Sequence, residues 1–260
     1  MSDHESTPTP SETCPGCACS GELAVDKALA RAVVWRFLSL GFAPPARGLL
    51  RALAEDQERE ALAAALALLE LPPFPLEGPS DLAGPFEELF GHTVRARVCP
   101  YETEYGDGQV FLQAQELADL FGWYAAFGLE RRPDLRERAD HIAMECEFAG
   151  FLSHKEAYAV ESGDCEQPAR VRQAYRRFLR DHLARFGTVV ATHLEREDPE
   201  GFYGRLGGLL GSVLASECRR IDVQPGPSVL PLRTDELDMV PAACGTEQDC
   251  SECDPPRRGD

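Results

Sequence analysis

From residue 22 to residue 221, apolar side chains recur at three- and four-residue spacing, run after run, and Pro or Gly cuts the runs apart. That period puts apolar groups on one face of an α-helix. Sustained alternation by two, flanked by hairpin turns, is absent, so the pattern offers no half-buried strand. It predicts an all-α fold.

The stripe over residues 22–42 (Leu23, Leu29, Ala30, Val33, Val34, Phe37, Leu38) ends at Pro44-Pro45, and a second run over 47–71 ends at Pro72-Pro73. Proline cannot continue a helix interior, which fixes both stops. A third helix is expected over 80–91, with Ser80 as N-cap. Residues 93–108 read as an irregular loop. Further helices are expected over 111–127, over 135–162 with a break near Ala139-Asp140-His141, and over 166–186, 188–196 and 199–221. No fixed-period repeat supports a solenoid. The expectation is a single globular helical domain, residues 22–222, of about seven to nine helices. Residues 1–21 and 223–260, rich in Pro, Gly and acids without periodicity, read as flexible acidic tails.

Charge narrows the partners. The 260 residues carry 44 Asp and Glu against 26 Lys and Arg, a net charge of -18. A protein that grips nucleic acid by its phosphates needs a basic face, so nucleic acid is excluded as a partner, as is an anionic membrane. Residues 1–20 have neither a basic segment nor an apolar core of the secretory type, and no run approaches the ~20 apolar residues of a spanning helix. The chain is expected to be soluble and cytoplasmic. Walker A, GxGxxG, HExxH and GxSxG motifs are missing, and no His has Glu three residues before it. The expectation is not an enzyme.

Three polar or aromatic segments stand out. In Arg138-Ala-Asp140-His141-Ile-Ala-Met-Glu145, Asp140 and His141 can cap a helix, and His141 and Glu145 share a face at i, i+4. The same groups, with Glu147, could instead serve as acid and base in a helical enzyme. The loop Cys99-Pro-Tyr101-Glu102-Thr-Glu104-Tyr105 offers carboxylates for guanidinium groups and rings for stacking, or the rings simply pin the loop. Phe86, Leu89 and Phe90 form one apolar face, either core or the wall of a groove for an apolar segment.

Six of the ten cysteines lie in the tails. Cys14 and Cys17, with Cys250 and Cys253, form two CxxC pairs that could supply four thiolates to zinc or an iron–sulfur centre. This defines an alternative, a metal-handling protein. The body itself requires no cofactor.

Taken in order, Phe86-Glu-Glu-Leu-Phe90, Cys99-Pro-Tyr-Glu-Thr-Glu-Tyr105 and Ala139-Asp-His-Ile-Ala-Met-Glu-Cys-Glu-Phe148 resemble the TorD/DmsD/NarJ family of redox-enzyme maturation chaperones, over about residues 25–220. The loop looks most like that of the delta-type chaperones. The resemblance implies a client-specific chaperone that binds the twin-arginine signal peptide, or the apoprotein, of a molybdopterin oxidoreductase and assists cofactor insertion before export. It places Asp140, His141 and Glu145 at the peptide-binding hinge, Phe86, Leu89 and Phe90 on the apolar binding helix, and Tyr101, Glu102 and Tyr105 on the loop. The partner it implies is a molybdoenzyme catalytic-subunit precursor, bound by a monomer or homodimer. Arg138-Ala139 departs from the Pro-Glu that often precedes Asp-His in the family.

Overall fold

The computed structural model describes residues 18–45, 49, 53–75, 81–91, 96–106, 110–130, 137–163 and 166–233. Among them, eight α-helices form: α1 Ala18–Phe42, α2 Asp56–Leu68, α3 Ala83–Phe90, α4 Val110–Ala126, α5 Ile142–Glu161, α6 Gln167–Asp181, α7 Leu183–Glu197 and α8 Phe202–Arg220. A 3-10 turn covers Glu102–Glu104. The described residues hold no strand, only two isolated antiparallel bridges. The expected all-α class is what forms.

Helix ends follow local chemistry. Glu55 takes extended angles (φ -83°, ψ 124°), which interrupts the run expected over 47–71: Leu49, Leu53 and Ala54 are helical, and α2 begins at Asp56, with Asp56 and Glu58 in its first turn. Acidic side chains there complement the positive end of the helix dipole. At α3 the expected cap, Ser80, lies outside the described residues. Asp81 does the capping: its Oδ1 accepts from Ala83 N at 2.9 Å and Gly84 N at 3.4 Å.

One expected break moves. The periodicity predicts a single helix over 166–186 with the next starting at 188, but the chain turns at His182 (φ -126°, ψ -96°). Gly187 sits buried inside α7, where an added Cβ would come within 2.9 Å of Leu214 Cδ1. It is there for close approach of α8, not as a helix stop.

Packing is dominated by α1 along α5 and by α7 along α8. Trp35 of α1 is fully buried and donates Nε1–H to Tyr175 Oη of α6 at 2.8 Å. Burying a side chain of that size contributes about 2–3 kcal/mol. Phe42, Phe74, Phe86, Phe90, Phe202 and Tyr203 interlock in mostly edge-to-face contacts. A second aromatic set, Trp123, Tyr124, Phe127, Phe148 and Phe178, joins α4 to α5 and α6. No helix among the described residues is long and apolar enough to cross a membrane.

The chain does not leave the body at residue 222, where the tail was expected to begin. Val223 is buried and its N–H donates to Cys218 O at 2.9 Å. Gly226 N–H donates to Ala184 O at 2.9 Å, and a Cβ at Gly226 would overlap the Ala184 and Arg185 carbonyl oxygens. Residues 223–233 therefore form a strap, which helical periodicity could not announce because its hold is mainly main-chain hydrogen bonding.

Candidate functional site

The 99–105 loop is fixed from both sides. Toward the hinge, Glu102 N–H donates to Asp140 O at 2.9 Å and Ile142 N–H to Pro100 O at 2.8 Å, making the Tyr101–His141 bridge. Toward the strap, Gly106 N–H donates to Pro231 O at 2.9 Å and Arg233 N–H to Glu104 O at 2.7 Å, making the Tyr105–Leu232 bridge. Tyr105 is fully buried and donates its hydroxyl to Cys99 O at 2.8 Å. That ring pins the loop.

Asp140 is fully buried at the hinge. Its Oδ2 accepts from Thr103 N (3.2 Å), Thr103 Oγ1 (2.8 Å) and Arg138 Nη2 (2.8 Å), and its Oδ1 accepts from Arg138 Nε at 2.9 Å. Arg138 also donates Nη1 to Glu104 Oε1 at 2.8 Å and lies over the Tyr101 ring, Cζ 4.5 Å from its centroid. An arginine stacked on Tyr101 and forked onto a carboxylate is a strong guanidinium site. Arg138 thus supplies in this chain a fixed contact where the family pattern often has Pro-Glu.

His141, not Asp140, is the N-cap of α5: its Nδ1 accepts from Ala143 N–H at 3.1 Å. Burial holds its pKa below the usual value despite the Glu137 and Asp140 charges. A neutral imidazole is what this cap needs, since Nδ1 must accept. The expected i, i+4 pairing with Glu145 does not form, because the cap bond turns the ring to the helix end.

Glu145 is completely buried, and neither carboxyl oxygen meets a donor. Burial first, then the Glu102 and Asp140 carboxylates, push its pKa well above the usual value. A proton held by Glu145 is what lets it face Glu102. Glu102 in turn accepts from His182 Nδ1 at 3.1 Å and lies 3.2 Å from Arg185 Nη2. His182 Nε2 reaches Asp119 Oδ2 at 3.1 Å. Burial lowers the His182 pKa, but Glu102 and Asp119 outweigh it and raise the value overall.

The structure brings Tyr101, Glu102, Tyr105, Asp140, His141 and Glu145 into one cluster at the hinge. It places Phe86, Leu89 and Phe90 elsewhere, buried against Phe42 and Tyr203. These three side chains line no open groove among the described residues. Cys14, Cys17, Cys250 and Cys253 lie outside the described residues. Cys99 and Cys146 are buried free thiols, Cys99 pushed up to about 12 by burial. No cluster of three or more His, Cys, Asp or Glu among the described residues is arranged to hold a metal.

Sequence reasoning missed His182, Thr103, Asp119, Glu116, Arg185 and Arg233. His182 carries no local motif; only the turn between α6 and α7, not visible in the periodicity, exposes its role.

Residues 50–192 match the family described as nitrate reductase delta subunit. The chain belongs to the TorD/DmsD/NarJ family of redox-enzyme maturation chaperones. It is 30% identical over 196 residues, 71% of this chain and 76% of the relative, to the dimethyl sulfide dehydrogenase assembly chaperone protein of Rhodovulum sulfidophilum. A chaperone protein TorD of Photobacterium profundum is 29% identical, over 47% of this chain and 56% of the relative. The selenate reductase assembly chaperone protein of Thauera selenatis is 32% identical, over 42% of this chain and 54% of the relative. For the latter two, the match spans just over half of the relative's own length. Family membership makes the protein a chaperone rather than an enzyme.

Proposed function

We propose that this chaperone captures the basic, apolar signal segment of a molybdenum-cofactor oxidoreductase precursor at the hinge, in the cytoplasm, and holds it while cofactor is inserted. The observation that carries this is the surplus of acid there. Glu102, Glu104, Glu116, Asp119, Glu137 and Asp140 crowd around Arg138, Arg185, Arg233 and His182, while Glu145 keeps its proton among them. Such a field attracts a cation-bearing peptide and repels anions. Relatives named as assembly chaperones for dimethyl sulfide dehydrogenase, selenate reductase and chlorate reductase support an oxidoreductase as the client class.

The test is calorimetric titration with a synthetic peptide carrying two adjacent arginines followed by an apolar stretch. Binding should weaken as salt rises, because exposed charge pairs are screened. Asp119, whose side chain is 65% exposed, is the safest site to alter. Asp119→Asn should weaken binding several-fold while leaving the melting temperature nearly unchanged. A peptide that fails to bind, or binds equally at all salt concentrations, overturns the reading.

A further inference from the structure

The strap segment from Val229 to Arg233 is held in a manner that resembles a bound peptide. Its main chain adds to the 104–106 edge through only two hydrogen bonds, Gly106 N–H to Pro231 O and Arg233 N–H to Glu104 O. Adding an extended segment to an exposed edge is a common peptide-recognition mode. Arg233 then reaches inward: Nη2 donates to both Glu116 oxygens at 2.9 and 2.8 Å, and Nε donates to Tyr105 O at 3.1 Å. Its side chain is only 6% exposed.

The fit is incomplete. Arg233 Nη1 is buried without an acceptor. Val229 is 76% exposed and Leu232 39% exposed, so of the strap's apolar side chains here only Leu230 packs on the core. A permanently docked segment would bury its apolar residues and satisfy its buried donors. Glu116 also takes a second guanidinium, Arg185 Nη1 at 3.2 Å, so this edge is built around carboxylates that collect arginines.

We propose that residues 229–233 are an internal, displaceable occupant of an edge-addition groove whose external ligand is an extended, arginine-bearing peptide. The groove is formed by Glu104, Tyr105, Gly106 and Glu116. The chain's own Arg233 holds it until a segment with a better-satisfied arginine and a longer apolar flank displaces it. For the identity of that ligand as a client's signal segment, the inference rests on the function proposed above. The groove itself does not.

The experiment uses the full chain with Arg233→Pro, which removes both the Arg233 N–H and its guanidinium. Two probes are titrated: the arginine-pair peptide, and a synthetic peptide with the sequence of residues 227–235. Arg233→Pro should bind each probe about tenfold more tightly than the unaltered chain, and the added substitution Glu116→Gln should abolish that gain. Hydrogen exchange at Gly106 N–H reads strap release directly, and should speed up in Arg233→Pro and slow again when either probe is added.

If the strap peptide binds and the arginine-pair peptide does not, the groove stands and the signal-peptide reading fails. If the arginine-pair peptide binds equally to both proteins while the strap peptide binds neither, the reading stands and the strap is a fixed structural element. Binding of neither probe to Arg233→Pro, with Gly106 exchange already fast, overturns the groove. An Arg233→Pro chain that unfolds is replaced by Arg233→Ala, which keeps the main-chain bonds and should still gain severalfold.

Discussion

Among the described residues, two buried polar networks are compensated differently. Between α1, α5, α6 and α8, Glu156 is gripped by Arg31 at 2.7 Å and Arg172 at 2.6 Å, and Glu217 by Arg220 at 2.6 Å and by the Tyr175 hydroxyl at 2.8 Å. Cations outnumber acids there. Although burial alone would raise the Glu156 pKa, Arg31 and Arg172 bring it below the usual value. At the hinge, acids outnumber cations, Glu145 has no donor, and a proton must make up the shortfall. A network closed on itself fixes helix positions. One that is short of positive charge favours a basic guest.

The largest effect should come from breaking the closed network. Glu156→Ala leaves Arg31, 5% exposed, buried with only the longer 3.8 Å approach of its Nε to Glu217 Oε2, and should cost about 3–5 kcal/mol in denaturant unfolding. A loss under ~1 kcal/mol would mean that water reaches this network and that the contrast with the hinge is wrong.

Next comes Asp140→Ala, which strands Thr103 and part of Arg138. It should cost about 2–3 kcal/mol, less than Glu156→Ala because the Arg138 side chain is 36% exposed and can turn to water. Substituting Asp140 and His141 together therefore perturbs folding as well as any binding. Exposed acids such as Asp119 report on the peptide more cleanly.

Glu145→Gln should act in the opposite direction and stabilise the protein at pH values well above 4.5. The native Glu145 keeps its proton above the pH, near 4.5, at which the unfolded chain releases it. Stability is thus lost as pH rises from there toward the native value, and Gln removes that loss. Melting temperatures of the two proteins should converge near pH 4 and separate as pH rises above it. Parallel curves would mean that Glu145 is ionised and paired. His182, raised above 6.5, adds a loss in the same direction at higher pH that Glu145→Gln leaves in place.

The smallest expected effect is Gly226→Ala, which pushes the strap off the Ala184 and Arg185 carbonyls. It should cost about 1 kcal/mol and make the 223–233 segment more sensitive to protease, with the helical core unaffected. An equal loss of protection in α7 and α8 would show that the strap is integral to the core.

Much of the architecture was legible without coordinates, because helical period and Pro or Gly stops are local properties. The run containing Val33, Val34, Phe37 and Leu38 had to be helical and buried on one side, and the break before Ile142 followed from Asp140-His141. The hinge motif was legible as a cluster of unusual residues, yet its internal roles were not. Nothing local told Asp140 from His141 as the cap, because either can accept from a helix N-terminal N–H. Phe86, Leu89 and Phe90 could have been core or groove on the same spacing; their contacts with Tyr203 and Phe42 place them in the core.

The sequence by itself determined the helices, the acidic character and the family, since these depend on composition, period and short motifs. Tertiary structure alone decided which charges share a dielectric. Glu102 meets His182 across 80 positions, Tyr105 meets Arg233 across 128, and Arg31 meets Glu156 across 125. Whether a buried carboxyl keeps its proton depends on neighbours brought in from distant segments, and no local pattern in the chain records them.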